Sequence, residues 1–152
     1  MKTPIKTLLA AAMLSSAIAS TPVQAASAAP LSYVEIIQVR SSDCGWEDIY
    51  KPFVSTTCDH GGKELRVFVL ELGYGRGGKA SMRGDELPRS ALVSSRSVCF
   101  INRQLVFCPV GVSIDGFLHE YKLDGYQGGR FAYENTSINY PYNTMSRWII
   151  IW

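Results

Sequence analysis

Short runs of β-branched and aromatic residues, separated by glycine-containing turns, recur through most of the chain. They fall at 33–39 (YVEIIQV), 65–72 (LRVFVLEL), 97–101 (SVCFI), 105–107 (LVF), 117–123 (FLHEYKL), 130–134 (RFAYE) and 147–152 (RWIIIW). Each run has the length and composition of a strand. His60-Gly61-Gly62, Asp115-Gly116, Asp124-Gly125 and Gly128-Gly129 supply turn chemistry between them. No helical period persists beyond one turn, around Asp43–Tyr50. Evenly spaced short strands without intervening helices predict an all-β fold: one domain over 31–152, built as a small antiparallel β-sandwich. Both faces of RWIIIW are apolar, which predicts a buried central strand and not the alternating strand of a membrane barrel.

The start of the chain follows a different pattern. Lys2 and Lys6 precede an unbroken apolar run, LLAAAMLSSAIA (8–19), and small residues follow it. This is the layout of a secretory signal peptide over 1–25, cleaved after Ala25 or as late as Ala28, with a short linker over 26–30. The run is shorter than the roughly 20 apolar residues a bilayer crossing needs, so no stable membrane insertion is expected. The expected location is secreted or periplasmic. Lys2 and Lys6 leave with the signal, which reduces 15 basic residues to 13, against 13 acidic ones. A formally neutral mature chain lacks the basic excess of nucleic-acid binders, so no nucleic-acid partner is expected. One local imbalance remains, where Arg76, Lys79, Arg83, Arg89, Arg96 and Arg103 face Asp85 and Glu86. Such a cluster is either a solvated surface or a docking patch for an anionic partner.

Cys44, Cys58, Cys99 and Cys108 in an exported chain predict two disulfides. CFINRQLVFC (99–108) has the form of a hairpin. With Arg103 and Gln104 in its turn, Cys99 stands opposite Cys108, which leaves Cys44 to join Cys58. Zinc would need reduced thiolates, and no C-x-x-C pair is present, so neither a metal nor a cofactor is expected.

Few segments suggest chemistry. GYGRGG (73–78) matches a dinucleotide pattern by letter, but KASMRGDELP after it makes a poor helix, so it is assigned as a flexible loop. RGD (83–85) is short enough to arise by chance, and NTS (135–137) is a glycosylation sequon that a bacterial secretion route would normally ignore. TTCDHGG (56–62) has the composition of a turn beside a disulfide, Asp59 bonding the backbone ahead of it. His60 and His119 are the two histidines of the chain. Two imidazoles can act as base and acid on a phosphodiester, with Asp59 or Glu120 orienting them. Against this, strand alternation sets His119 beside Phe117 and Tyr121, as a packed residue would be. Aromatic residues crowd the C-terminal third. Tyr126, Tyr140 and Tyr142, next to glycine, asparagine and proline, are expected to form a loop contact surface for an unknown protein or glycan ligand.

Three segments, DHGG (59–62), ELGYG (71–75) and NTSINYPYNTMS (135–146), in that order behind a signal peptide, resemble the YolA-like family of secreted bacterial and prophage-encoded proteins. The resemblance covers most of 31–152. It implies secretion and a small β-rich domain of unknown function, and it transfers no catalytic residue. The expectation is a secreted binding or interaction module serving microbial competition or host contact. The alternative is a small secreted hydrolase or toxin, ribonuclease-like, using His60 and His119.

Overall fold

The computed structural model describes residues 28–61 and 63–152; the expected signal peptide, 1–25, lies outside them. Ten strands follow in order: β1 (Tyr33–Ser41), β2 (Gly45–Asp48), β3 (Arg66–Leu72), β4 (Lys79–Met82), β5 (Asp85–Glu86), β6 (Leu92–Ile101), β7 (Gln104–Phe107), β8 (Gly116–Lys122), β9 (Gly129–Thr136) and β10 (Thr144–Ile151). A single 3-10 turn, Arg89–Ala91, leads into β6. The strands form a six-stranded sheet, β2-β1-β3-β8-β6-β7, and a four-stranded sheet, β10-β9-β4-β5. All the pairings between these strands are antiparallel.

Both sheets contribute to one core. Val34, Ile36, Val67, Val69 and Tyr121 enter it from the larger sheet, and Met82, Phe131, Tyr133, Ile149 and Ile151 from the smaller. Period-2 alternation explains the selection: Val67 and Val69 are buried inward, while Arg66 on the other face reaches Glu120 and Asp124. Each such aliphatic or aromatic burial contributes roughly 1.5–3 kcal/mol. Bulges in β1 at Ile37 and in β6 at Val93 change the alternation. The second sets both Leu92 and Ser95 on the inner face, next to Tyr121 and His119.

Every expected strand is present, but three details differ. The segment expected to make a helical turn is β2, a hairpin partner of β1 entered through Gly45 (φ 67°), with Trp46 packed on Phe68 at 5.0 Å. β4 and β5 lie in a stretch without the β-branched and aromatic residues that mark the other strands; Arg83 and Gly84 of RGD form their turn, and the Arg83 Nε donates to the Gly128 carbonyl. RWIIIW supplies most of β10, an edge strand and not a central one. Ile149 and Ile151 point inward, Trp148 is exposed beneath Arg130, and the outer edge is partly covered by 54–56.

The cysteines divide into two kinds. Cys44 and Cys58 are bridged, with Cα atoms 6.2 Å apart. Cys99 and Cys108 are free thiols, and the register expected for them is corrected by two residues: Cys99 stands opposite Val106. The reason is the turn. Asn102 and Arg103 occupy it with φ of 53° and 65°, because a two-residue hairpin turn needs positive φ at both positions and asparagine accepts it readily. Cys108 is thereby a diagonal neighbour on the same face, still within hydrogen-bonding reach of Cys99. Burial, and then that contact, push the Cys99 thiol up to about 11.

Candidate binding site

The inner faces are apolar at one end and polar at the other. Along β3 the inward positions run Val67, Val69, Glu71; along β9 they run Phe131, Tyr133, Asn135. On β8, His119 stands opposite Val69, and Phe117 opposite Glu71. The Glu71 carboxylate, 3% exposed, accepts from Tyr133 Oη at 2.7 Å, Asn135 Nδ2 at 2.7 Å and His119 Nε2 at 3.0 Å. A buried carboxylate without partners would be severely unfavourable, and here three donors satisfy it.

Burial alone would push the Glu71 carboxyl up. The hydrogen bonds from His119, Tyr133 and Asn135 outweigh that and hold it below the ordinary value of 4.5. The phenols respond in the opposite sense: burial and then the Glu71 charge raise Tyr133 far above its ordinary value and bring Tyr121 to about 12. A depressed carboxyl contributes stability that is complete above its unfolded-state pKa and lost as pH falls through the folded value. Wild-type unfolding free energy should therefore hold down to about pH 5 and decline below it. Glu71→Gln should make that decline shallower in chemical denaturation. An identical acid limb in both proteins would deny the carboxylate its network.

Above this cluster a pocket of about 640 Å³ opens between the sheets. It exists because β4 and β5 end the smaller sheet, while β6 and β7 extend the larger one. Residues 75–79 and 86–92 wall the opening. Two glycines of GYGRGG, Gly75 and Gly78, are packed here. A Cβ on Gly75 would overlap the Asn135 amide, and one on Gly78 would overlap the Tyr133 hydroxyl, so both glycines make room for donors to Glu71. His119 stacks against Phe117, and its Nδ1 is buried with no partner among the described residues. Because the carboxylate is an acceptor, Nε2 carries the proton toward it, and Nδ1 of the neutral ring is a bare acceptor.

The structure does not bring His60 and His119 together. His60 is fully buried, its Nε2 on Glu47 at 3.0 Å and its Nδ1 on Ser41 at 3.0 Å. Asp59 is exposed and accepts from the Gly61 amide at 3.0 Å, the local turn bond its composition suggested. Glu120 pairs with Arg66, and the carboxylate that orients His119 is Glu71.

Among the loop tyrosines, Tyr140 and Tyr142 are 81% and 54% exposed and meet edge to face. Tyr126 departs from the expected surface, being half-buried against the core. The Arg76 guanidinium lies 5.7 Å from the Tyr142 ring and also lines the pocket, so the exposed tyrosines adjoin its rim. Tyr140→Ala and Tyr142→Ala should each change stability by no more than about 0.5 kcal/mol, and Tyr126→Ala by clearly more, in equilibrium denaturation. Comparable losses at all three would place all three in the core.

Glu71 and Asn135 carry the site, yet no motif marks either one. The available signal was positional: Glu71 shares the inward parity of Val67 and Val69 in a strand otherwise apolar on that face. The asparagine of the NTS sequon is only 4% exposed and is committed to Glu71.

Among the described residues no helix is long and apolar enough to cross a membrane. The family described as a domain of unknown function (DUF4879) matches residues 22–151. No curated protein matches the chain.

Proposed function

The chain belongs to the DUF4879 family, a domain of unknown function, and we propose that it is a secreted or periplasmic binding module. Its recognition site is the pocket above Glu71, with Tyr140 and Tyr142 beside the rim. The observation that carries this is a roomy pocket whose floor is the buried Glu71 network, in which one nitrogen, His119 Nδ1, has no partner among the described residues. Ligand pockets combine an apolar lining with a few fixed polar groups in this way. Export is supported by the signal-like start of the chain, the Cys44–Cys58 bridge and the resemblance to the YolA-like family. Microbial competition or host contact is the setting in which such a module would work, with a protein or glycan as ligand.

A test is capture from arrays of glycans and peptidoglycan fragments by the mature protein. Ser95→Trp introduces an indole into the pocket from an exposed position cross-strand from His119. Capture by wild type and none by Ser95→Trp, at equal thermal midpoints, is expected. Equal capture by both would remove the pocket from the function.

The proposed fold is a small β-sandwich with a second bridge, Cys99 to Cys108, formed on export. Supporting it are the proximity of the thiols and their common face. Non-reducing peptide mapping of exported protein should yield both the Cys44–Cys58 and the Cys99–Cys108 peptides; an alkylatable Cys108 in folded protein would exclude the second.

One observation favours a hydrolytic alternative. His119 is held through Nε2 by Glu71, and its buried Nδ1, without a partner among the described residues, would serve as the base once ring rotation exposes it to water or a hydroxyl in the pocket. Such an enzyme would rest on His119 and Glu71, with His60 committed to Ser41 and Glu47.

A further inference from the structure

Three of the six cations in the basic stretch 76–103, namely Arg76, Lys79 and Arg89, line the pocket, and Glu86 shares that wall. All three are exposed, and none has a carboxylate partner within 4.0 Å among the described residues. The floor has the opposite character. Glu71 keeps its negative charge, and His119 Nδ1 is an acceptor that lacks a donor. The pocket is therefore polarised, with positive charge at the mouth and acceptors at depth. Phe117 and Tyr121 supply aromatic surface between the two.

We infer that this pocket takes an acidic sugar: a ring whose carboxylate, phosphate or sulfate lies among Arg76, Lys79 and Arg89 and whose hydroxyls reach the floor. The inference rests on the pocket being the recognition site, and it names the ligand class. An anion at the floor would meet the Glu71 charge, and a cation at the mouth would meet three like charges. A neutral apolar molecule would leave His119 Nδ1 without a donor, which a hydroxyl provides. About 640 Å³ is ample for one sugar unit and its acidic group.

Nitrogen-15 NMR titrations of the full mature chain with four probes test this: glucuronate, glucose 6-phosphate, glucose and glucosamine. Saturable shifts at Gly75, Gly77, Gly78 and His119 are expected from the two anionic probes. The ratio of their affinities separates a carboxylate ligand from a phosphate one. Arg76→Ala and Arg89→Ala should each weaken those two probes roughly tenfold, as loss of a charge-assisted hydrogen bond does, and added salt should weaken them further. Both substitutions are at exposed positions, so an unchanged thermal midpoint confirms the fold. Equal or tighter binding of glucose or glucosamine overturns the inference while leaving the pocket as a site. Silence from both anionic probes, or binding indifferent to both arginine substitutions, also overturns it. The array comparison with Ser95→Trp does not depend on ligand charge and decides the pocket itself.

Discussion

Glu71→Ala should cost about 3–5 kcal/mol of unfolding free energy and abolish ligand capture. Removing one member of a buried charged network strands the others, and here three donors lose their acceptor at once. Tyr133 and Asn135 are 1% and 4% exposed, so water cannot readily replace the carboxylate. Glu71→Gln separates shape from charge. Its amide oxygen can accept from Tyr133 and Asn135, but its NH2 faces His119 Nε2, which must then become the acceptor. The ring proton moves to Nδ1. The loss of stability should fall to about 1–3 kcal/mol, the cost of an imperfectly satisfied buried group. Imidazole nitrogen-15 shifts should report the change of tautomer. Capture by the binding module should weaken but persist in Glu71→Gln, because a ligand hydroxyl can accept from Nδ1–H in place of donating to Nδ1, whereas the hydrolytic alternative loses its base and its turnover. An unchanged His119 tautomer between wild type and Glu71→Gln would mean that no hydrogen bond joins the two residues.

The way this site forms explains what the sequence made legible. β8 was visible because inward aromatic residues alternate with mostly polar ones, and β3 because it is a short, nearly continuous run of apolar residues; both are local properties of the chain. β4 and β5 were not visible. KASM carries one small and one large apolar residue, Ala80 and Met82, and both are buried only because β9 lies alongside. The hairpin at 99–108 was recognised, but its register depended on which residues tolerate positive φ, and Asn102 took the turn position assigned to Gln104. Glu71, His119, Tyr133 and Asn135 come from three strands spread across 65 residues of chain, which no local spacing could reveal. Two of the segments behind the family resemblance nonetheless meet there, since ELGYG contributes Glu71 and Gly75 and NTSINYPYNTMS contributes Asn135. The third, DHGG, lies elsewhere and has a different role.

That role sets the second large effect: His60→Ala should destabilise strongly and leave capture intact, and His119→Ala should do the reverse. His60 joins three parts of the fold. Its Nε2 shares Glu47 with the amides of Thr57 and Cys58, which donate at 2.6 and 3.1 Å. Its Nδ1 is hydrogen-bonded to the Ser41 hydroxyl at the end of β1, and its own amide donates to the Trp152 carbonyl next to β10. Burial would raise the Glu47 carboxyl, but the two amides, His60 and the Thr57 hydroxyl hold it below its ordinary value, so it remains a charged acceptor. Deleting the imidazole leaves a cavity and unpaired groups around a segment already tethered by Cys44–Cys58. The expected cost is about 2–5 kcal/mol. His119 sits in a pocket wall, 13% exposed in its side chain, and Glu71 retains two other donors without it. Its removal should cost only about 1–3 kcal/mol while taking away the acceptor at the pocket floor. Denaturant unfolding and array capture on both variants give four values with a definite order. Loss of capture in His60→Ala at wild-type stability would reverse the assignment and place His60 in the functional site. The expected order instead makes His60 a clasp, holding β1, β2 and the end of β10 together away from the pocket.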